Sequence, residues 1–127
     1  MITYAVNHKG KHTVFLEGNL TQGKANGNFY LFDLETRDTL KKATFKQGQL
    51  HGQLWDNTGT DLIVMHYYFG TPEGKYQLIQ NDQIAIEGAY FNGCREGFWK
   101  YYDKLGNRIA DEYYKNCTLK YRKEHRF

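Results

Sequence analysis

A pair of glycines with three residues between them recurs along this chain, and this repeat constrains the fold more than any other feature. The pairs are Gly23/Gly27, Gly48/Gly52, Gly70/Gly74 and Gly93/Gly97. Successive second glycines lie 25, 22 and 23 residues apart. A further step of 23 from Gly93 reaches Asn116, and asparagine tolerates a positive φ better than most residues. A fixed period of about this length is typical of a repeat array.

A second series of turn signals lies between the glycine pairs, at residues 7–10, 33–36, 56–59, 81–82 and 103–106, the last ending at Gly106. Turns about every 8 to 14 residues indicate short antiparallel strands. The predicted strands are 2–6, 13–20, 28–33, 40–46, 53–56, 62–69, 75–80, 84–91, 98–102, 108–115 and 119–122. Short connections favour pairing in chain order. The fold class predicted is all-β, an elongated and twisted antiparallel meander of stacked β-hairpin repeats.

Composition supports this fold class and limits the size of the protein. With 127 residues, the chain is predicted to form one domain, about four repeats followed by a C-terminal half repeat and a basic tail. Aromatic residues make up 17% of the chain, which also has thirteen glycines and one proline. Only residues 33–42 are compatible with a helical turn. The mean hydropathy of −0.76 argues against a spanning helix, and the N-terminus does not resemble a signal peptide.

Alternation along the repeats divides the side chains between two faces. Two positions after each second glycine stand Phe29, Leu54, Tyr76 and Trp99. Three positions before the first glycine, or before Asn116, stand Phe45, Tyr67, Tyr90 and Tyr113. These eight side chains are predicted to form the core face. Small residues two positions further back, such as Gly18 and Gly88, leave room for the large rings.

The opposite face is predicted to become aromatic toward the C-terminus. Its aromatic side chains are Tyr68, Phe91, Phe98, Tyr102 and Tyr114. Either the sheet curls or dimerises and covers them as a second small core, or they stay exposed and dock a partner protein. The first alternative is preferred, because a single-layer sheet must bury some of its surface to be stable.

Cys94 and Cys117 lie 23 residues apart and are predicted to occupy equivalent positions in successive hairpins. Equivalent strands of neighbouring hairpins are about 9.5 Å apart. This separation exceeds the roughly 7 Å limit between Cα atoms of a disulfide. Free thiols are therefore expected, and with them a reducing, cytoplasmic location.

No residue pattern indicates catalysis. The five histidines lack metal-ligand spacing, and Glu17 and Glu87 are matched repeat positions with no acid/base partner. A phosphate loop is absent as well. We predict no catalytic, metal-binding or cofactor-binding residues. The net charge is +3, and the basic tail at 120–126 is interpreted as a solvated terminus, with nucleic acid disfavoured as a partner.

The segment from Tyr90 to Gly106 resembles the bacterial variant of the MORN repeat. The features shared with that pattern are an aromatic residue, Asn92-Gly93, a short polar turn, Gly97, Trp99, a Tyr-Asp pair and a closing glycine. The likeness is close over 87–115, recognisable in 51–59 and 73–76, and faint before Gly27. Glycine is missing at Thr36, near Asp82 and at Asn116.

This resemblance implies a non-enzymatic binding role of the antitoxin or immunity type, in which the aromatic face binds and neutralises a toxin or another protein. A toxin encoded by a neighbouring gene is one expected partner, and a homodimer through an edge strand or the aromatic face is a further expectation. The alternative is a membrane-surface or scaffold module that binds anionic lipid or assembles proteins, with the basic tail and turn lysines as contacts. An unrecognised hydrolase would require a cleft with a perturbed His or Cys.

Overall fold

The computed structural model describes residues 2–8 and 12–125, with side chains from residue 14 to 125. The predicted turn at 7–10 and the end of the basic tail, Arg126, lie partly or wholly outside this range. The strands are β1 (Ile2–His8), β2 (His12–Gly18), β3 (Leu20–Thr21), β4 (Lys24–Ala25), β5 (Gly27–Asp33), β6 (Thr39–Lys46), β7 (Gln49–Asp56), β8 (Leu62–Tyr68), β9 (Thr71–Pro72), β10 (Gly74–Gln80), β11 (Gln83–Phe91), β12 (Cys94–Tyr102), β13 (Arg108–Lys115) and β14 (Thr118–Glu124).

Twelve of these strands form one antiparallel sheet. Its order is β1-β2-β5-β6-β7-β8-β10-β11-β12-β13-β14, with β9 paired to β8, and β3 and β4 pair only with each other. Strands are therefore neighbours in the order in which the chain makes them, and β1 and β14 form the two edges. This confirms the predicted all-β meander. The described residues contain no helix, and the segment proposed for a helical turn instead forms a loop that leads into β6.

Each glycine pair forms two separate features of one hairpin, which the spacing alone did not distinguish. The first glycine is the second residue of a tight turn, as in Gln47-Gly48, where both residues have positive φ. The second glycine lies in a bulge of the following strand. Between the partners Phe45–Leu50 and Ala43–Leu54, one residue on β6 faces three on β7, among them Gly52 with φ of 111°. At Gly52 and Gly97 the strand continues through the bulge, so β7 begins four residues before the prediction. At Gly27 and Gly74 a break of one residue instead separates β4 from β5 and β9 from β10.

The last hairpin departs from this pattern by one residue. Asn116 and Cys117 both have positive φ, as Asn92 and Gly93 do. Asn116 is thus equivalent to Asn92, and Cys117 takes the place of the glycine. The repeat step at this point is 24 residues, from Gly93 to Cys117, and not the 23 residues that were assumed. The predicted equivalence of Asn116 with the first glycines is therefore wrong.

Large rings on the core face lie over glycines, as the small-residue positions predicted. A Cβ atom at Gly18 would overlap the ring of Phe29, and a Cβ atom at Gly88 would overlap the indole of Trp99. Trp99 is fully buried and contacts Tyr76 and Tyr90, with ring centroids 5.1 and 5.2 Å away. The contact of Trp99 with Gly88 therefore buries the one large side chain, among those the structure describes, that is fully shielded from solvent.

The one-residue offset also reverses two tyrosines. Tyr113 pairs directly with Phe98 across β12 and β13, and directly opposed residues share a face. Tyr114 lies on the other side, with its ring centroid 6.5 Å from that of Trp99. Tyr113 was predicted for the core face and Tyr114 for the opposite face, and both assignments are wrong. A slip of one residue moves every side chain of a strand to the other face.

The turns at one end of the strands, here called the turn edge, contact the preceding hairpin. The amide of Gly48 donates to the carbonyl of Ala25 at 2.8 Å, and the amide of Gly93 donates to that of Pro72 at 2.9 Å. A Cβ atom at Gly93 would lie 3.4 Å from the Thr71 methyl group. The second turn residue therefore contacts the residue that follows the preceding turn.

Cys117 and Cys94 occupy this recurring contact and form a disulfide, with their Cα atoms 4.9 Å apart. The prediction of free thiols is wrong for two reasons. The cysteines are not equivalent, because Cys117 is a turn residue and Cys94 follows its turn. The turns of neighbouring hairpins also approach one another more closely than the equivalent strands of those hairpins do, which are about 9.5 Å apart. The cytoplasmic expectation thereby loses the observation on which it depended.

Candidate protein-interaction surface

The face opposite Trp99, here called the outer face, carries the exposed aromatic side chains. Tyr68 is 61% exposed, Phe91 58% and Phe98 50%. Alternation from the paired residues Glu87 and Lys100 places Phe91 and Phe98 on the same side of the sheet. These three members of the predicted partner-binding set are therefore available to a partner.

Around Phe98, three rings form a continuous group that we call the C-terminal patch, namely Phe98, Tyr113 and Tyr121. Phe98 and Tyr113 have ring centroids 5.0 Å apart, and Tyr113 stacks on Tyr121 at 5.5 Å. Tyr121, on the edge strand β14, is 50% exposed. Sequence reasoning missed Tyr113 and Tyr121, although a repeat step of 24 residues, from Gly93 to Cys117, would have placed Tyr113 here.

A row of alternating charge crosses the outer face beside the C-terminal patch. Glu87 on β11 pairs with Lys100 on β12, Lys100 pairs with Asp111 on β13, and Asp111 pairs with Lys123 on β14. Asp111 already forms ion pairs with Arg108 at 3.3 Å and with His125, if that ring is protonated, at 3.2 Å. Lys100 and Lys123 form no ion pair with the described residues.

A depression of about 320 Å³ opens on the outer face where β12 bulges. Gly88, Ala89, Gly97 and Phe98 contribute to its lining, and glycines at this point leave space that other side chains would fill. The bulge that distorts β12 thus creates a recess directly beside the exposed ring of Phe98.

Tyr102 is less available than predicted. Its hydroxyl group donates to Oε1 of Glu87 at 2.7 Å. Burial and the adjacent Glu87 carboxylate raise the pKa of the Tyr102 phenol to about 12. This side chain therefore fastens β12 to β11.

Tyr114 belongs to a polar network on the core face, centred on Glu112. The hydroxyl groups of Tyr101 and Tyr114 both donate to Oε1 of Glu112, and Arg122 donates to Oε2 at 2.9 Å. Although its burial opposes ionisation, these donors hold the pKa of Glu112 below its ordinary value. Tyr114 is thus committed within the chain.

Arg95 extends that network across the core. Its guanidinium lies 4.3 Å from the Trp99 ring centroid and donates to the hydroxyl groups of Tyr101 and Tyr114 at 3.3 Å. Burial lowers the pKa of Arg95, but hydrogen bonds to Tyr114 and the neighbouring tyrosines outweigh it and raise that pKa. The arginine therefore remains charged and stacks on the central ring of the core.

The exposed ring of Tyr68 belongs to a second aromatic group at the turn edge. Nδ1 of His51 accepts the amide proton of Phe69 at 3.2 Å, and the His51 ring contacts both Tyr68 and Phe69. Lys46 lies over Phe69, 5.6 Å from its centroid. The histidine is therefore occupied as a turn support.

The opposite edge of the sheet carries a polar cleft of about 420 Å³, lined partly by Asp61, Gln80, Tyr102 and Asp103. Gln80 donates to Asp61 at 3.2 Å. Asp103 accepts amide protons from Leu105 and Asn107, and these bonds lower the pKa of its carboxyl group. Both carboxylates in this cleft therefore have partners within the chain.

Among the described residues, no group of three or more His, Cys, Asp or Glu side chains is arranged to hold a metal ion. No helix in the same part of the chain is long and apolar enough to cross a membrane. Comparisons with models of known protein families and with curated proteins find no match to this sequence.

Proposed function

We propose that this protein is a non-enzymatic binding module of the antitoxin or immunity type, which binds and neutralises a toxin or another protein. The observation that carries this proposal is the exposure of Tyr68 and Phe91 on one face of the sheet. Tyrosine and other aromatic side chains supply much of the binding energy at protein interfaces. The likeness of residues 87–115 to the MORN variant supports the same class.

Tyr68 and Phe91 are the proposed anchors, because they project at the turn ends of two neighbouring hairpins. Tyr68 pairs with Thr71, and Phe91 pairs with Cys94, each next to a turn glycine. The turns beneath these rings are hydrogen-bonded to the preceding hairpin through the amides of Gly70 and Gly93, which limits the entropy that is lost on binding. The disulfide further fixes the hairpin that carries Phe91.

The test is co-expression of the protein with the product of each adjacent gene, followed by co-purification and a growth-rescue assay. We expect one neighbour to co-purify, and Tyr68→Ser with Phe91→Ser to weaken that complex by a hundredfold or more, about 2.7 kcal/mol or more. Leu105→Ser is the matched control, because Leu105 is 84% exposed but lies in a turn at the opposite edge. A complex unaffected by the double substitution would contradict this assignment.

A second candidate function is attachment to an anionic membrane surface or scaffold. It is favoured by the exposed lysines of the C-terminal hairpin, Lys115, Lys120 and Lys123. Each lysine near an anionic surface contributes about 1 kcal/mol, and salt screens this attraction. Sedimentation with vesicles containing phosphatidylserine, at low and high salt, tests it. Binding to neutral vesicles alone, or none, would count against it.

A further inference from the structure

We infer that the C-terminal patch is an interface between two copies of this chain, packed face to face about a twofold axis. The axis runs parallel to the strands, midway between β12 and β13. This inference concerns the middle of strands β11 to β14, whereas the proposed partner is recognised through Tyr68 and Phe91 at the turn edge. It does not require the proposed function to be correct.

The alternating row of charge selects this axis, because among the axes that run between two strands it alone gives all four charges of the row an opposite partner. A twofold axis between β12 and β13 places β11 of one copy opposite β14 of the other, and β12 opposite β13. Glu87 then faces Lys123 of the second copy, and Lys100 faces Asp111, each pairing occurring twice. An axis along any one strand, or along the row itself, would instead set like charges against each other, which costs several kcal/mol.

The shapes of the same strands agree with that axis. Phe98 on β12 comes to lie opposite Tyr113 on β13, so aromatic rings meet at the centre of the interface. Tyr121 projects from β14 and comes to lie opposite β11, at the recess lined by Ala89 and Gly97. A projecting ring and a recess on one surface are the self-complementary features that an isologous interface needs.

Three of the four charged side chains, Glu87, Lys100 and Lys123, are available for this contact. Lys100 and Lys123 form no ion pair with the described residues, and Oε2 of Glu87 accepts no hydrogen bond from them. Asp111 already forms ion pairs with Arg108 and, when the ring is protonated, His125. We therefore place the test on the Glu87–Lys123 pairing, which lies at the rim of the interface.

The experiment measures molar mass by light scattering, over a wide range of protein concentration, for the wild type and two charge-reversal variants. The wild type is expected to be a dimer. Lys123→Glu alone sets two carboxylates against each other at the rim, and Glu87→Lys alone sets two ammonium groups against each other there. Each variant should therefore self-associate on the order of a hundredfold more weakly. An equimolar mixture of the two restores opposite charges and should return the dimer.

Phe98→Ser provides a second kind of variant, which removes the central ring and should also yield monomers. Tyr68→Ser is its control, because Tyr68 is exposed on the same face but lies outside β11 to β14 and should leave the dimer intact. Circular dichroism is used to check that each variant is folded. A wild type that stays monomeric at every concentration would overturn the inference. The inference would also be overturned if both charge variants dimerised as strongly as the wild type, or if their equimolar mixture failed to associate.

Discussion

The carboxylate of Glu112 is a buried charge whose donors come from both neighbouring strands. Tyr101 on β12 and Arg122 on β14 reach it from either side, and Tyr114 on β13 completes the set. A buried charge costs stability unless it is paired and hydrogen-bonded. The network therefore joins the three C-terminal strands through the carboxylate of Glu112.

Replacing Glu112 should make the protein less dependent on pH. Because its pKa is lowered on folding, the charged form stabilises the fold above pH 4.5, and this contribution is lost as the pH falls through the folded pKa. We expect Glu112→Gln to lower the free energy of unfolding by about 2 kcal/mol at neutral pH. On acidification, the free energy of unfolding should fall less for this variant than for the wild type. Urea unfolding between neutral and acidic pH measures this difference. Glu124→Gln, at an exposed site, should behave as the wild type does.

The glycine beneath Trp99 should resist even the smallest substitution. A methyl group at Gly88 would overlap the indole, and that ring is fully buried and cannot move aside. We expect Gly88→Ala to cost about 3 kcal/mol in the free energy of unfolding. Gly59→Ala is the control, because a Cβ atom there meets no other atom within 4 Å. Equal stability of the two variants would show that the ring-over-glycine contact is unimportant.

These residues show which contacts the sequence could predict. Alternation and the repeat spacing placed Gly18 and Gly88 on the face of the large rings, but did not say that Phe29 and Trp99 would cover them. The Glu112 network was not predicted, because the repeat was extended in steps of 23 and so assigned Tyr114 to the wrong face. Sequence spacing does not reveal a one-residue insertion when the residue at the turn is Cys117 rather than glycine.

At the scale of elements, the hairpin with a two-residue turn and a glycine bulge is the unit that repeats. Strand existence and pairing order were predictable, since turn signals recur at strand-length intervals. The strand segments between each turn and its bulge were not predictable. Residues such as Gln49 and Cys94 lie between two glycines, and that spacing is typical of a loop. The contact of each turn with the preceding hairpin is a tertiary interaction, which local sequence does not encode.

The disulfide should stabilise the C-terminal hairpins by closing a loop in the unfolded chain. Cys94 and Cys117 are 23 residues apart, and the entropy of closing a loop of this size corresponds to about 3 kcal/mol. We expect a reducing agent to lower the free energy of unfolding by about that amount. A variant with both cysteines replaced by alanine should show the lower stability with or without the reductant. A wild type indifferent to reduction would contradict this prediction.

At the scale of the whole molecule, the sheet is stabilised by contacts between neighbouring hairpins. Trp99 is the one large side chain, among those the structure describes, that is fully buried. The aromatic cluster around it, the Glu112 network and the disulfide all lie between β10 and β14. At the other end, Phe29 contacts Phe45 with centroids 5.2 Å apart. Stability in such an array is a sum of local terms, so its two ends are weakly coupled.

Hydrogen exchange on two matched variants should reveal this weak coupling. Gly18→Ala and Gly88→Ala each place a methyl group under an aromatic ring, but at opposite ends of the sheet. We expect Gly18→Ala to speed amide exchange in β2, β5 and β6 by about tenfold or more, while β12 and β13 keep the wild-type rates. Gly88→Ala should do the reverse. Equal acceleration throughout the sheet in either variant would mean that the protein unfolds as one cooperative unit, because only global opening exposes all amides together.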